Sequence, residues 1–300
     1  MSGVGVIVHQ DKVLGGGLEE LRSALADAGH ADPAWYEVPK SKEAPKKIRK
    51  LVRDDGVDRV LVWGGDGTVR RCIQTIIDDE LDASIGILPA GTGNLLANNL
   101  GIPIELRGAV DVAVHGEPRP IDVGVMNDLY FAVMAGTGFD ALMIRDADEN
   151  ALKERFGRAG YVWAGMNNID VSPAQAEVEV DGLPWYKGDA TCVIVANVGT
   201  ILGGVQAFPD ASPTDGRLDV GVVQARTKAD WARLMASAVA RRASKSSLTE
   251  MVTADRVTIR LDRTFPWEVD GGDQERTDQF EISCVPAAVR ICQPRSKEGS

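Results

Sequence analysis

The sequence predicts an α/β plus β chain: an N-terminal α/β domain built on a parallel sheet, then a second, mostly antiparallel β domain. Two observations carry this reading. Over roughly the first 120 residues, short unbroken apolar runs alternate with helix-period segments, as strands covered on both faces by helices require. After Asp122, apolar and polar residues alternate one for one, the pattern of strands with one wet face. The boundary falls near residue 123, giving domains 1–123 and 124–285, with the C-terminal residues from about 286 to 300 returning to the first.

Val4-Gly5-Val6-Ile7-Val8 is the first buried strand, and Leu18, Leu21 and Leu25 then recur at helical spacing, with Gly29 placed to stop the helix. A weaker strand, Ala34 to Val38, precedes the basic segment from Lys46 to Arg53. Val60-Leu61-Val62-Trp63 and Ile85-Gly86-Ile87-Leu88 each enter a glycine-rich turn, and a helix from Val69 to Ile77 is expected between them. In the second half Ala176, Val178 and Val180 alternate with Glu177, Glu179 and Asp181. Val257, Ile259 and Leu261 do so with Arg256, Thr258, Arg260 and Asp262. One long helix interrupts this half, from Thr227 to about Arg242, with Thr227 and Asp230 at capping-box spacing. Its apolar stripe is Trp231, Leu234, Met235 and Ala238.

Composition narrows the class. A chain of 300 residues with 44% hydrophobic and 26% charged residues is globular rather than disordered. No apolar run approaches the ~18 residues of a spanning helix, and the N-terminus lacks the pattern of a signal peptide, so a cytoplasmic location is expected. The net charge of −11 argues against general nucleic-acid binding, which depends on clustered Lys and Arg. Cys72, Cys192, Cys284 and Cys292 stand alone, and with 3 histidines no zinc spacing arises, so packed, reduced thiols are expected.

Two loops carry chemistry. Gly64-Gly65-Asp66-Gly67-Thr68 follows a buried strand and opens a helix, where unpaired N–H groups and the positive end of a helix dipole favour a phosphate. Glycines let the backbone turn sharply and approach an anion without a Cβ in the way. Asp66 would repel a bare phosphate, so it makes sense with Mg2+ between them; taken alone, it reads equally as the N-cap of a tight turn. Pro89-Ala90-Gly91-Thr92-Gly93-Asn94 repeats the arrangement one strand later, on the same sheet edge, with Thr68, Thr92 and Asn94 as short polar groups suited to phosphate or ribose. Neither loop is a Walker A or a dinucleotide fingerprint.

These loops, followed by Asn99-Leu100-Gly101-Ile102-Pro103, resemble the diacylglycerol kinase catalytic-domain family of lipid kinases. The likeness continues through Ile121-Asp122-Val123-Gly124, the stretch from Phe131 to Asp140, and Leu152-Lys153-Glu154-Arg155-Phe156-Gly157-Arg158 with Tyr161. It ends in Phe208-Pro209-Asp210-Ala211-Ser212-Pro213 and Asp215-Gly216-Arg217-Leu218-Asp219. The resemblance implies γ-phosphoryl transfer from ATP to a lipid hydroxyl, with Mg2+, at a cleft between an α/β domain and a β-sandwich-like domain. It implies that Gly64 to Thr68 and Gly91 to Asn94 hold the nucleotide phosphates, that Asp66 organises Mg2+ with help from Asp122, and that Asp215 and Asp219 lie near a structural Mg2+. The alternative for the last pair is a solvated Asp-Gly turn. The first pentapeptide is also similar to one in NAD kinases, which leaves a soluble-substrate kinase as a second expectation.

Two departures from the family's pattern stand out. Its Asn-Pro stretch after the first strand reads here His9-Gln10-Asp11-Lys12, where His9 and Lys12 can still reach phosphates. Its Asp-Gly-Glu, whose Glu is the proposed base or its support, reads Asp270-Gly271-Gly272-Asp273. Asp273 then stands in as the base one position later, or the segment is a plain hairpin turn and the protein a nucleotide-binding regulator without catalysis. The lipid would be met peripherally at a membrane surface. Lys40 to Arg53, Lys153 to Arg158, and Trp231 with Arg241, Arg242 and Lys245 are the basic candidates for anionic headgroups. Oligomeric state, a homodimer included, is left open.

Overall fold

The computed structural model describes residues 3–138, 173–201, 205–239 and 246–295. The chain divides into two compact units, Met1–Val123 with Pro286–Ser300, and Gly124–Val285.

The first unit is a parallel sheet. β1 (Val4–His9), β2 (Ala34–Val38), β3 (Arg59–Gly64) and β4 (Ser84–Pro89) lie in the order β2-β1-β3-β4, and Arg290 and Ile291 extend the sheet beside Ser84 and Ile85. Between the strands run α1 (Gly17–Asp27), α2 (Ala44–Arg53) and α3 (Asp66–Asp78); α4 (Leu95–Asn99) and α5 (Leu106–His115) follow β4. Val4, Val6, Val8, Leu61, Trp63 and Leu88 pack on one face against Leu21 and Leu25 of α1 and Leu106 and Val110 of α5. α2 and α3 pack together, and Leu51 closes over the backbone of Gly5. Both faces are covered, which is why the strands read as unbroken apolar runs. α1 stops where expected: Gly29 is left-handed (φ +87) and the His30 N–H donates to the Leu25 carbonyl at 2.8 Å.

The chain winds from β1 out to β2 and then back past β1 to β3, so its direction reverses between β1 and β3. Parallel pairing puts the carboxyl ends of β1, β3 and β4 on one edge, and open α/β sheets take ligands at such a reversal. α3 starts at Asp66, three residues before the expected Val69, with Gly65 as its N-cap residue. The glycine loop is therefore shorter than its sequence suggests, and Gly67 lies inside the first helical turn.

The second unit is antiparallel and β-sandwich-like. Its strands are β5 (Glu117–Met126, entering from the first unit), β6 (Leu129–Phe131), β7 (Met134–Thr137), β8 (Ala174–Val180), β9 (Leu183–Ala190) and β10 (Cys192–Ala196). Then come the short pair β11 (Thr200–Ile201) and β12 (Val205–Gln206), β13 (Leu218–Val223), β14 (Thr249–Ala254), β15 (Arg256–Val269) and β16 (Gly272–Gln293). The order β14-β13-β10-β7-β15 forms one run, while the first half of β15 pairs with β8 and β8 with β9. Ala176, Val178, Val193, Val220, Ile259, Trp267 and Phe280 share one core, with Glu177 and Glu179 outside it, as the alternation requires. The expected helix is α6 (Lys228–Val239), and its capping box forms: the Asp230 N–H donates to Thr227 Oγ1 at 3.1 Å while Thr227 N–H and Oγ1 donate to Asp230. Trp231 and Leu234 are buried; the side chains of Met235 and Ala238, and residues 240–245, lie outside the described set.

β15 and β16 are joined by a two-residue turn in which Asp270 (φ +45) and Gly271 (φ +76) are both left-handed. The Asp270 carboxylate accepts three consecutive backbone N–H groups, of Ala132, Val133 and Met134, at 2.9 to 3.0 Å. Those donors are buried, and an unsatisfied buried donor costs ~1–3 kcal/mol. We expect Asp270→Ala to destabilise the protein by about 3 kcal/mol or more, read as a lower urea midpoint. A midpoint unchanged from the unmutated protein would show that the turn holds itself.

Candidate functional site

The site is assembled on the carboxyl edge of the parallel sheet, where β1, β3 and β4 each release a loop. After β1, the fully buried Trp63 donates from its indole Nε1 to the Lys12 carbonyl at 2.9 Å, and the Lys12 N–H donates to the His9 carbonyl at 3.1 Å. Burial first, and Lys12 next, hold the His9 imidazole below its ordinary 6.5; Nδ1 accepts the Asp11 N–H at 3.3 Å. His9 is thus a neutral hydrogen-bonding group near pH 7, while Lys12 and Asp11 bring opposite charges to this loop.

The other two loops form one platform. Gly64 pairs with Pro89 in the sheet, and the Ala90 N–H donates to the Gly64 carbonyl at 3.0 Å. A Cβ placed on Gly91 would lie 2.4 Å from the Gly65 Cα, so the two backbones touch where both residues lack side chains. Neither glycine is left-handed. Close approach, not positive φ, is what demands glycine here. Thr68 is buried against Gly64, whereas Thr92, Gly67 and the half-buried Gly93 are reachable from solvent.

Asp66 ties the loops together. Its Oδ2 accepts the Leu95 N–H at 3.0 Å and its Oδ1 the Leu96 N–H at 3.1 Å, so the carboxylate caps α4 rather than its own helix. Burial raises its pKa, and the backbone donors of Leu95 and Leu96 pull the other way. Asn94, left-handed at φ +46, accepts the Gly91 N–H at 2.9 Å and donates to the Pro89 and Gly91 carbonyls at 3.0 and 2.8 Å. Its amide is spent on shaping the loop, so among Thr68, Thr92 and Asn94 it is exposed Thr92 that presents a polar side chain.

The remaining acids lie apart in the chain. Asp122, on β5, is buried, and its Oδ1 accepts the Ala287 N–H at 2.8 Å where that residue is left-handed (φ +49). In the second unit Asp273 is exposed on β16 and pairs across the strands with Glu268, which is only 3% exposed. Successive strand residues point to opposite faces, so Asp273 shares the face of Glu268 while position 272 shares that of core residue Val269. A shift of one residue is therefore a change of face. Burial, then Asp215 and Asp210, push the Asp219 carboxyl up to about 6; Arg217 opposes. The Asp215 carboxylate accepts the Arg217 N–H at 3.0 Å.

Among the described residues no group of three or more His, Cys, Asp or Glu is arranged to hold a metal ion. Mg2+ needs no such cage: it keeps several waters and binds through one or two carboxylates plus substrate phosphates. Asp66, beside an open glycine backbone, fits that requirement. Sequence reasoning missed two side chains, Asp270 and Glu268. The Asp-Gly pair announced the turn at Asp270 but not its three distant donors, and nothing local marks Glu268 as buried. Phe139, Asp140, Leu152 to Arg158, Tyr161, Arg241, Arg242 and Lys245 lie outside the described residues.

Comparison with known proteins gives two family matches: "Diacylglycerol kinase catalytic domain" over residues 7–126 and "YegS C-terminal NAD kinase beta sandwich-like domain" over residues 133–293. A diacylglycerol kinase of Mycobacterium tuberculosis is 30% identical over 247 residues, covering 80% of this chain and 78% of the relative. A solved diacylglycerol kinase structure from Bacillus anthracis superposes with TM-score 0.79 at 21% identity, covering 98% of both chains. An NAD kinase of Archaeoglobus fulgidus, solved with ATP, gives TM-score 0.54 at 12% identity over 97% of this chain and 94% of its own. At those identities the structures speak to the fold.

Two outcomes follow from the geometry. Gly91→Ala should force the loops apart and cost about 1–3 kcal/mol, measured by thermal or urea unfolding, because its new methyl collides with backbone that cannot rotate away. No loss would mean the loops separate freely. For Asp219, the folded state keeps a proton up to about pH 6 that an unfolded aspartate releases near 3.8. The stabilisation is present below 3.8 and is lost as pH rises through 6. Asp219→Asn should therefore leave Tm nearly unchanged near pH 4 and raise it near pH 8 in metal-free buffer. If Asp215 and Asp219 hold Mg2+, millimolar Mg2+ will raise the Tm of the unmutated protein near pH 8 and leave the Asn variant unmoved.

Proposed function

The chain belongs to the diacylglycerol kinase catalytic-domain family of lipid kinases, and from that premise we propose that it transfers the γ-phosphoryl group of ATP, with Mg2+, to the hydroxyl of diacylglycerol or a similar lipid. Residues 1–123 with 286–300 are the proposed nucleotide-binding domain and 124–285 the proposed lipid-substrate domain. The observation that carries this reading is the platform joined by Asp66: two glycine loops in backbone contact, on the sheet edge where ligands bind, with a carboxylate at their junction.

In this reading Gly64, Gly65, Gly67, Thr68, Gly91, Thr92, Gly93 and Asn94 shape the phosphate cradle, Asn94 and Thr68 from within it. Lys12 adds charge and His9 a neutral hydrogen bond. Asp66 would hold Mg2+, which when bound neutralises the phosphates and lets an anionic residue sit among them. A lipid hydroxyl must shed its proton as its oxygen bonds to phosphorus, and Asp273 is the proposed acceptor, with Asp122 as the second catalytic carboxylate. Asp215 and Asp219 are the proposed structural Mg2+ pair. Among the described residues no helix is long and apolar enough to cross a membrane. The proposed protein is cytoplasmic and meets its lipid peripherally, as a monomer or a homodimer.

A second reading, a nucleotide-binding regulator without catalysis, is favoured by the exposure of Asp273 on the face opposite position 272. One assay separates them: the protein with labelled ATP, Mg2+ and a lipid panel in mixed micelles, alongside the Tm shift produced by ATP. Phosphorylated lipid supports the kinase; an ATP-induced shift with no product on any lipid supports the regulator.

Asp66→Asn should lower the rate by at least ~100-fold, since it removes the charge and also turns an amide donor toward the Leu95 or Leu96 N–H. The second effect should appear as a lower Tm. A rate within about threefold of the unmutated protein at saturating Mg2+ would sink the assignment. Asp273→Ala should lower kcat by ~10²-fold with the ATP-induced Tm shift intact, and full activity in that variant would move the base elsewhere.

A further inference from the structure

Two arginines meet the carboxyl end of α5. At the start of β3, Arg59 Nη1 donates to the carbonyls of Ala113, Val114 and Gly116, and Arg295 Nε donates to the His115 carbonyl at 3.2 Å. Four consecutive carbonyls of a helix terminus are thereby satisfied, and this uses one nitrogen of each guanidinium. Gly116 leaves no room for a Cβ between the carbonyls of Val112 and Gln293, so the end of β16 lies against the helix terminus and Arg295 follows it there. The rest of each guanidinium is uncommitted. Nε and Nη2 of Arg59 and both Nη of Arg295 have no hydrogen-bond partner, and neither arginine an ion pair, among the described residues.

Both arginines line one open cavity of about 770 Å3, with Val114, His115, Glu117 and Pro118, all within the first unit. A smaller cavity of about 400 Å3 adjoins it across Arg59 and Pro118. The acids nearby are largely answered: Glu117 is held by Arg119 at 2.7 Å and Asp82 by Arg290, while Asp58 lies in the smaller cavity. The end of α5 carries only about −0.5 elementary charge, against two full positive charges on the arginines, so an anion is attracted. Among the described residues no Phe, Tyr or Trp lines either cavity, which offers a nucleobase nothing to stack on. We propose that the larger cavity binds a small phosphate monoester, such as a phosphorylated polyol, with its phosphate between Arg59 and Arg295. Such an ester carries about −1.5 to −2 charge on three terminal oxygens, which suits two guanidinium forks better than a single carboxylate does. Arg59 opens β3 and Gly64 closes it, so ~16 Å of strand separates this ligand from the glycine loops. Its binding therefore does not depend on the proposed phosphoryl transfer.

The test is calorimetric titration of the full chain with glycerol 3-phosphate, inorganic phosphate and a short-chain phosphatidic acid, with and without a saturating non-hydrolysable ATP analogue. A phosphate monoester should bind, more weakly at high salt, and with the same affinity when the analogue is present. Arg295→Gln should weaken that binding at least tenfold while the ATP-induced Tm shift stays that of the parent. Arg59→Lys keeps the charge but loses the fork, and should weaken binding as well. Should Arg59→Lys fail to fold, Arg295→Gln, at an exposed position, still decides. Tighter binding of glycerol 3-phosphate than of phosphatidic acid identifies a soluble ester as the ligand, and the reverse order a lipid headgroup; both support the site. Absence of binding by all three probes at millimolar concentration overturns the proposal, as does an unchanged affinity in Arg295→Gln. Displacement by the ATP analogue overturns it too, since the phosphate would then lie on the glycine loops.

Discussion

The carboxylate of Asp66 is the constraint on which the candidate site depends. It reaches across from the loop after β3 to the two backbone N–H groups that open α4, and so makes one body of two loops that neither strand pairing nor helix packing would join at their tips. Its position explains the composition around it. Gly65 and Gly91 touch backbone to backbone, and Asn94 adopts a left-handed conformation to pin Gly91 and Pro89 with a single amide. A partly buried anion at this point is costly, and the peptide donors offset part of that cost. In the proposed function this is the group that would receive a cation bringing phosphates with it.

The second unit uses the same device for a different end. Asp270 gathers three successive peptide N–H groups from the segment that leads into β7, so the hairpin of β15 and β16 is anchored by a carboxylate rather than by apolar packing alone. The consequence runs one strand position further. With the hairpin register set, Glu268 and Asp273 share a face and position 272 is turned to the other. The difference between Asp-Gly-Glu and Asp-Gly-Gly-Asp is thus geometric as well as chemical.

Charge is distributed unevenly to match. The chain is acidic as a whole, yet its basic residues concentrate where β2 hands over to α2. The half of that segment near Asp79 and Tyr36 is neutralised by the protein itself, and Lys40, Lys42 and Lys46 on the other half are exposed.

Features that depend on near neighbours and on burial were legible before any coordinates. The unbroken runs around Val6, Leu61 and Ile87 meant strands covered on both faces, and the alternation at Ala176 to Val180 meant one wet face. Gly29 marked the end of α1, Thr227 and Asp230 made a capping box, and Asp270-Gly271 offered a hairpin turn whose length the structure fixed at two residues. The glycine loops and the later motifs pointed to the family. Which groups meet across the loops emerged from the packing of distant segments: Asp66 with Leu95 and Leu96, Trp63 with the Lys12 carbonyl, Asp270 with residues 132–134, and Asp122 with Ala287. It also moved the start of α3 back to Asp66 and showed that Gly91 is needed for contact rather than for a positive φ. The reason is physical. Periodicity reports which face of an element avoids water, whereas a hydrogen bond between loops depends on strand order and register, and these follow from how whole elements pack, which no local spacing encodes.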